Sequence, residues 1–113
     1  MAATRAEAVA EALWELKRED KVSTYSLIAS RAGFSAGSNG RAMATCIKTI
    51  RKDWPHLEWW RAIRDDNVID VEDDQKDFLA EWGAEIADED GKTLVQVEES
   101  QIKNWEAPEE AGN

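Results

Sequence analysis

The middle of the chain constrains the fold most, because it predicts two helices joined by a short, glycine-bearing turn. Ser23 or Thr24 can cap a helix over residues 24–32, and Gly33 suits the left-handed position that ends it. After a polar turn region, apolar residues at helical spacing predict a third helix over residues 37–50. Two helices joined in this way are typical of a helix-turn-helix, whose second helix enters a groove of DNA.

The flanking segments add helices and short strands to this pair. The Thr4–Glu7 tetrapeptide has the capping-box pattern and predicts a first helix over residues 5–17. Asp73 or Asp74 can cap a fourth helix, which we place near residues 74–82. Short extended segments are predicted at residues 62–63, 68–69 and 93–97, and a final helical turn at residues 100–105. The predicted fold class is therefore mostly α with short β.

We expect one domain, residues 1–107, followed by an acidic tail, residues 108–113, that is disordered. A chain of 113 residues suits a single hydrophobic core. No apolar run approaches the roughly 20 residues that span a membrane, and the first residues do not resemble a secretory signal. We therefore expect a cytoplasmic, monomeric protein that contacts no membrane. With one cysteine and one histidine, we expect no disulfide, no metal and no cofactor.

Charge is distributed unevenly along the chain, whose net charge is -10. Residues 31–64 contain seven basic and two acidic residues, a net charge of +5. Residues 65–113 contain 17 acidic residues and three lysines, a net charge of -14. A uniformly acidic surface repels phosphate, whereas a basic middle on an acidic body is compatible with one DNA-facing surface. Chance clustering on a solvated surface is the alternative interpretation.

Four short motifs follow one another along the chain. They are Val22-Ser23-Thr24-Tyr25, Gly40-Arg41-Ala42-Met43, Glu58-Trp59-Trp60-Arg61 and Phe78-Leu79-Ala80-Glu81-Trp82-Gly83. In this order and spacing they resemble the DNA-binding domain of the alkylguanine-DNA alkyltransferases, over roughly residues 9–107. The resemblance implies a single winged helix-turn-helix-like domain of the type that forms the C-terminal part of those enzymes.

The third motif carries the main departure from the alkyltransferases. In that family the tetrad reads Pro-Cys-His-Arg, and the cysteine thiolate takes an alkyl group off a damaged guanine. Trp59 stands where the cysteine would be, and an indole has no lone pair free for that displacement. Trp60 falls at the histidine position, and the relay glutamate falls at Trp82, with Glu81 adjacent. The chain thus resembles the non-catalytic alkyltransferase-like proteins, and we expect no enzyme activity and no catalytic residue.

The resemblance also implies how such a domain contacts DNA. In the family the recognition helix lies in the minor groove, and the damaged nucleotide rotates out of the base stack into a pocket. Tyr25 matches a tyrosine that contacts the phosphate moving with that base. The arginine that fills the gap in the duplex falls at Gly37, which has no side chain, and Arg41 lies one helical turn later. The hinge asparagine falls at Cys46.

The charge distribution and the family resemblance together identify candidate site residues. The predicted DNA-binding residues are Tyr25, Ser38, Asn39, Gly40, Arg41, Lys48 and Arg51. The predicted lesion pocket consists of Tyr25, Trp59, Trp60 and Arg61. Structural alternatives stay open: the tryptophans can fill core volume, Arg61 can pair with carboxylates of the fourth helix, and the cations of the third helix can be solvated.

The predicted function is non-enzymatic DNA binding, in which an alkylated guanine is flipped into a tryptophan-lined pocket and flagged for repair. The expected partners are double-stranded DNA, in particular DNA with alkylated guanine, and a protein of a repair pathway. The alternative is a degenerate alkyltransferase-fold module that serves protein interaction or regulation. The acidic body, the missing arginine and the six tryptophans favour that alternative.

Overall fold

Three helices in the first half of the chain pack around one apolar core. The computed structural model describes residues 4–35, 37, 40–70 and 73–105. Its first three helices are α1 (Arg5–Glu19), α2 (Tyr25–Ala32) and α3 (Arg41–Asp53). The buried side chains between them include Val9, Leu13, Leu16, Ile28, Met43, Ile47 and Ile50. Removing these apolar surfaces from water is the main force that holds the helices together.

Caps set the ends of the first two helices. The Glu7 N–H donates to the Thr4 hydroxyl oxygen (3.1 Å), and the Thr4 N–H donates to the Glu7 carboxylate (2.9 Å), so the predicted capping box is present. α1 continues to Glu19 rather than ending at residue 17, and Asp20 follows it in a left-handed conformation (φ 59°). α2 begins after the Thr24 cap, as predicted.

The prediction that the third helix begins at residue 37 is wrong. α3 begins at Arg41 and extends to Asp53. Gly37 (φ 87°) and Gly40 (φ 73°) both have left-handed backbone conformations, which interrupt a right-handed helix. These glycines therefore lengthen the turn between α2 and α3.

Short strands tie the helices to the rest of the chain. β1 (Ser23–Thr24) pairs in parallel with β2 (Ala62–Ile63), which places the start of α2 beside the 3₁₀ turn Trp59–Arg61. A second sheet is antiparallel and has the order β3 (Val68–Ile69), β5 (Lys92–Gln96), β4 (Glu85–Glu89). β5 agrees closely with the predicted strand. β4 was not predicted, because acidic residues occupy three of its five positions and hide the usual strand pattern.

A second apolar cluster lies between α4 (Gln75–Trp82) and the antiparallel sheet. Its buried members are Val22, Trp60, Ile63, Ile69, Leu79, Ala84 and Val95. Trp59 packs against both clusters. The predicted final helical turn is a 3₁₀ turn at Glu99–Gln101. The chain is thus a single, mostly helical domain with short strands, as its sequence predicted.

The predicted boundary at residue 107 and the acidic tail at residues 108–113 lie outside the described residues. Within the described ranges, no helix combines the length and the apolar character that crossing a membrane requires.

Candidate nucleic-acid interface

The exposed side of α3 is basic and carries small side chains between its cations. Arg41, Ala44, Thr45, Lys48, Arg51 and Lys52 are all exposed. No acidic residue occurs in the helix before Asp53. The Thr45 hydroxyl donates to the Arg41 carbonyl (3.1 Å), so this side chain lies close to the helix. A helix with such a surface can approach a phosphate backbone closely.

Tyr25 lies against the turn that leads into α3. Its half-buried ring is so close to Gly40 that a Cβ there would lie 2.8 Å from the Tyr25 Cδ2 atom. Burial raises the pKa of the Tyr25 phenol above its ordinary value, so the side chain is neutral at physiological pH. Gly40 thus permits the contact that fixes Tyr25 beside the start of α3.

Replacing Gly40 with alanine is expected to lower the free energy of unfolding by about 2–3 kcal/mol. A left-handed backbone costs a residue with a Cβ roughly 1–2 kcal/mol, and the new methyl group would also push on Tyr25. Gly91→Ala is the matched control, because Gly91 has a similar φ of 77° and no atom within 4 Å of its Cβ position. Urea unfolding of both variants measures the difference. Equal losses of unfolding free energy would show that contact with Tyr25 adds nothing to the cost of a Cβ at residue 40.

A cavity of about 470 Å³ lies beside the basic side of α3. We call it the α3 cavity; its lining is Tyr25, Ala44, Ile47, Lys48, Arg51, Lys52, Trp59, Ala62, Asp73 and Gln75. Its volume falls within the range of roughly 300–1,000 Å³ that is usual for ligand pockets. The Gln75 side-chain amide donates to the carbonyls of Trp60 (3.0 Å) and Ala62 (2.8 Å). These bonds fix the start of α4 against the cavity.

Arg51 covers one face of Trp59 inside this cavity. The Arg51 Cζ atom lies 3.9 Å from the centroid of the Trp59 ring, a distance typical of a cation–π contact. The same guanidinium forms an ion pair with Asp73 at 2.9 Å. A base that stacks directly against this face of Trp59 must therefore displace Arg51.

The prediction that Tyr25, Trp59, Trp60 and Arg61 line one pocket is wrong. Tyr25 and Trp59 line the α3 cavity, whereas Trp60 and Arg61 line a second cavity of about 500 Å³. Trp59 borders both. All three residues of the 3₁₀ turn line the second cavity, and Tyr25 lines only the first.

We call the second cavity the aromatic groove. Its lining is Pro55, His56, Glu58, Trp59, Trp60, Arg61, Phe78, Glu81 and Trp82. Trp60 itself is buried, and its ring stacks on that of Phe78 at 6.0 Å between centroids and 10° between planes. Phe78 is 40% exposed. The groove therefore combines aromatic rings with two carboxylates, those of Glu58 and Glu81.

Arg61 is a buried structural residue, and its ion-pair partners are not the carboxylates of the fourth helix that the sequence suggested. Only 5% of its surface is exposed. Its guanidinium donates to the Glu58 carboxylate (2.7 Å), the Lys21 carbonyl (3.0 Å) and the Asp20 carboxylate (3.1 Å). Asp20 also accepts a hydrogen bond from the Trp82 indole (2.7 Å). These bonds, first that of Trp82 and then that of Arg61, lower the pKa of Asp20.

Other predicted positions have varied surroundings. Cys46 is buried in the core between α1 and α3, and its burial raises the pKa of the thiol, which disfavours the reactive thiolate. Arg41 is exposed at the start of α3. Ser38 and Asn39 lie outside the described residues. Asp73 and Gln75 were not predicted as lining, because only tertiary packing brings them to the cavity.

Comparison with known proteins identifies a structural relative. No protein-family model and no curated protein matches the chain. The solved structure of S. pombe Atl1, in complex with damaged DNA containing O6-carboxymethylguanine, matches with a TM-score of 0.70 and 25% sequence identity. The match covers 88% of this chain and 94% of Atl1. Since Atl1 is an alkyltransferase-like protein, the resemblance of this chain to the alkyltransferase-like proteins is confirmed over most of its length.

Proposed function

We propose that this protein binds double-stranded DNA without catalysing alkyl transfer, and that it recognises alkylated guanine in the α3 cavity. The observation that carries the proposal is the position of this cavity, which lies directly beside the basic side of α3 and has Trp59 as a wall. The fold shared with Atl1, which was solved in complex with damaged DNA, supports it. Binding would mark the lesion for a repair protein, and the alkyl group would stay on the DNA.

We place α3 in a groove of the duplex as the second helix of a winged helix-turn-helix, with the β4–β5 hairpin as the wing. Arg41 and Lys48 then neutralise phosphates, and Arg51 does so once a base has displaced it from Trp59 and Asp73. Each phosphate contact releases bound counterions, so the affinity falls as salt rises. Tyr25, held at the start of α2, lies where it can meet the phosphate of a rotated nucleotide.

A rotated base enters the α3 cavity, displaces Arg51 and stacks on Trp59. Unstacking a base costs a few kcal/mol, and less if the base is damaged. Stacking on an aromatic side chain returns roughly 1–3 kcal/mol. An undamaged, fully paired base costs more to extract, so this balance favours lesions.

Alkyl transfer requires a nucleophile in this cavity, and Trp59 occupies the position that the sequence motif assigns to it. The indole ring cannot displace an alkyl group. The thiol of Cys46 does not line the α3 cavity, and its raised pKa keeps it protonated. The side chains that do line the cavity therefore support binding without transfer.

A binding titration tests the proposal. Duplexes that contain one O6-methylguanine are compared with the same duplex containing guanine, at several salt concentrations. We expect tighter binding of the damaged duplex, with both affinities falling as salt rises. Equal affinities would refute lesion recognition, and no binding to either duplex would refute DNA binding. A radiolabelled methyl group should stay on the DNA after incubation; its transfer to protein would refute the non-enzymatic assignment.

A second candidate function, protein interaction, is favoured by the aromatic groove. At the edge of the groove, Phe78 is exposed and its ring stacks on that of Trp60. Trp14 on α1 is 51% exposed. Exposed aromatic side chains of this kind are common at protein interfaces. Crosslinking followed by identification of both the proteins and the nucleic acid recovered, with Phe78→Ser as the variant, tests this function. Recovery of nucleic acid alone, unchanged by the substitution, would exclude it.

A further inference from the structure

We infer that Asp73 is a positioning residue that keeps the α3 cavity closed in the DNA-free protein, because it holds the Arg51 guanidinium on Trp59. A base enters only if it gains more from the cavity than this contact contributes. The role of Asp73 rests on the proposed function, since it requires a base that stacks on Trp59. It adds to that function a threshold that the protein itself sets.

Arg51 occupies the place of a stacked base. Its Cζ atom lies 3.9 Å from the centroid of the Trp59 ring, well inside the roughly 6 Å over which cations and aromatic rings attract each other. A guanidinium is planar and stacks on aromatic faces, as a nucleobase does. The guanidinium and a base therefore exclude each other from this face of Trp59.

Asp73 is the counter-charge that keeps Arg51 in this place. Its carboxylate accepts a hydrogen bond of 2.9 Å from the Arg51 guanidinium. The two side chains are 39% and 28% exposed, so water screens the pair only in part. Asp73 is the one carboxylate among the described residues that line the cavity, and the other charged groups there, Lys48 and Lys52, repel Arg51. Without the carboxylate, we expect Arg51 to turn towards solvent.

The backbone around Asp73 fixes the position of its carboxylate. The Asp74 N–H donates to that carboxylate (2.7 Å), and the Asp73 N–H donates to the Asp70 carbonyl (3.0 Å). These bonds hold the residue just before α4, and Arg51 projects from the last turn of α3. The contact thus joins two fixed elements across the cavity, and Asp73 acts on an entering base through Arg51.

The contact sets a threshold for base entry. Damaged and mispaired bases both leave the stack at a lower cost than a paired base, so the cost of extraction alone separates them poorly. A base that enters must also replace the contacts of Arg51 with Trp59 and Asp73. A damaged base has an adduct that adds contacts in the cavity, whereas a mispaired guanine has none. We therefore expect the wild type to bind a mispaired, undamaged guanine less tightly than a damaged one.

The test compares the wild type with Asp73→Asn and Asp66→Asn. Asparagine at residue 73 keeps an oxygen that can accept from the Asp74 N–H, so the backbone around it should be preserved. Asp66→Asn is the matched control, because it removes the same charge and also breaks an ion pair, that with Arg64 at 3.0 Å, but Asp66 does not line the α3 cavity. Affinities are measured at one ionic strength for duplexes with O6-methylguanine, with guanine mispaired with thymine, and with paired guanine.

Relative to the paired duplex, Asp73→Asn should bind the O6-methylguanine duplex about two- to fivefold more tightly than the wild type does, as the strength of partly exposed ion pairs implies. The mispaired duplex should also gain, by a smaller factor. Asp66→Asn should change all three affinities alike. An unchanged ratio in Asp73→Asn overturns the inference. A fall in that ratio also overturns it, because it would mean that Asp73 binds the base directly.

Nuclear magnetic resonance of the DNA-free protein tests the contact itself. The ring current of Trp59 should move the side-chain proton resonances of Arg51 upfield in the wild type and in Asp66→Asn. In Asp73→Asn they should return towards their ordinary positions, and a persistent upfield shift overturns the inference. A wild type that binds all three duplexes equally overturns the proposed function and, with it, the effect on base entry, even if the resonances show the contact of Arg51 with Trp59.

Discussion

Replacing Arg61 with methionine is expected to lower the free energy of unfolding by about 2–4 kcal/mol. Methionine preserves much of the apolar volume but cannot donate to Glu58, Asp20 or the Lys21 carbonyl, all of which Arg61 binds. Removing one partner of a buried ion pair costs roughly 3–5 kcal/mol. The Asp20 and Glu58 carboxylates are in contact with water and can be rehydrated, so we expect a smaller loss than for a fully buried pair. The substitution also removes the cation that lies 4.6 Å from the Trp60 ring.

Arg64→Met is the matched control, three residues further along the chain. Arg64 pairs with Asp66 at 3.0 Å, but the two side chains are 45% and 53% exposed. Exposed pairs of this kind contribute roughly 0–1 kcal/mol, so this variant should unfold nearly as the wild type does. Urea denaturation of the two variants gives the comparison. Similar small losses in both would show that the Arg61 network is not a principal source of stability.

Replacing Trp59 with alanine is expected to reduce the preference for a damaged duplex over an undamaged one by roughly 10- to 100-fold. Stacking of one base on an aromatic ring is worth about 1–3 kcal/mol, and 1.4 kcal/mol is a tenfold change in affinity. The loss should appear in the ratio of the two affinities rather than in general DNA binding, because the phosphate contacts on α3 remain. Titration of paired duplexes measures this ratio.

Trp59 also packs against both apolar clusters, so its removal needs a check on folding. Trp59→Phe keeps an aromatic ring and should fall between the wild type and the alanine variant. Trp14→Ala removes an exposed tryptophan on α1, outside the α3 cavity, and should leave the preference unchanged. If the folded alanine variant discriminates as well as Trp14→Ala does, Trp59 takes no part in recognition.

The fold was largely predictable from local signals. The Thr4 and Thr24 caps each depend on residues close in sequence, and each is present where the sequence indicated it. The start of α3 was misplaced, because the sequence around Gly37 and Gly40 does not show which glycine adopts a left-handed backbone. Both glycines adopt it, and a Cβ at either position would lie close to Ala42 or Tyr25, which are contacts that local patterns do not reveal.

The candidate site was predictable only in part. The resemblance directed attention to Tyr25 and Trp59, and the structure brings both to the α3 cavity. The surroundings of Arg61 were not predictable, because Asp20 lies 41 residues away in sequence. Nor was the division into two cavities predictable, because the walls of each cavity come from segments far apart in the sequence. Such long-range contacts leave no periodic pattern in the sequence.

Trp59 stands between two spaces, and this has a mechanical consequence. An indole ring that separates neighbouring compartments cannot tilt into one without widening the other. Protein interiors are too densely packed to absorb such a movement elsewhere. A molecule bound in either compartment therefore constrains the orientation of the same indole ring. Filling one compartment changes the shape of the other.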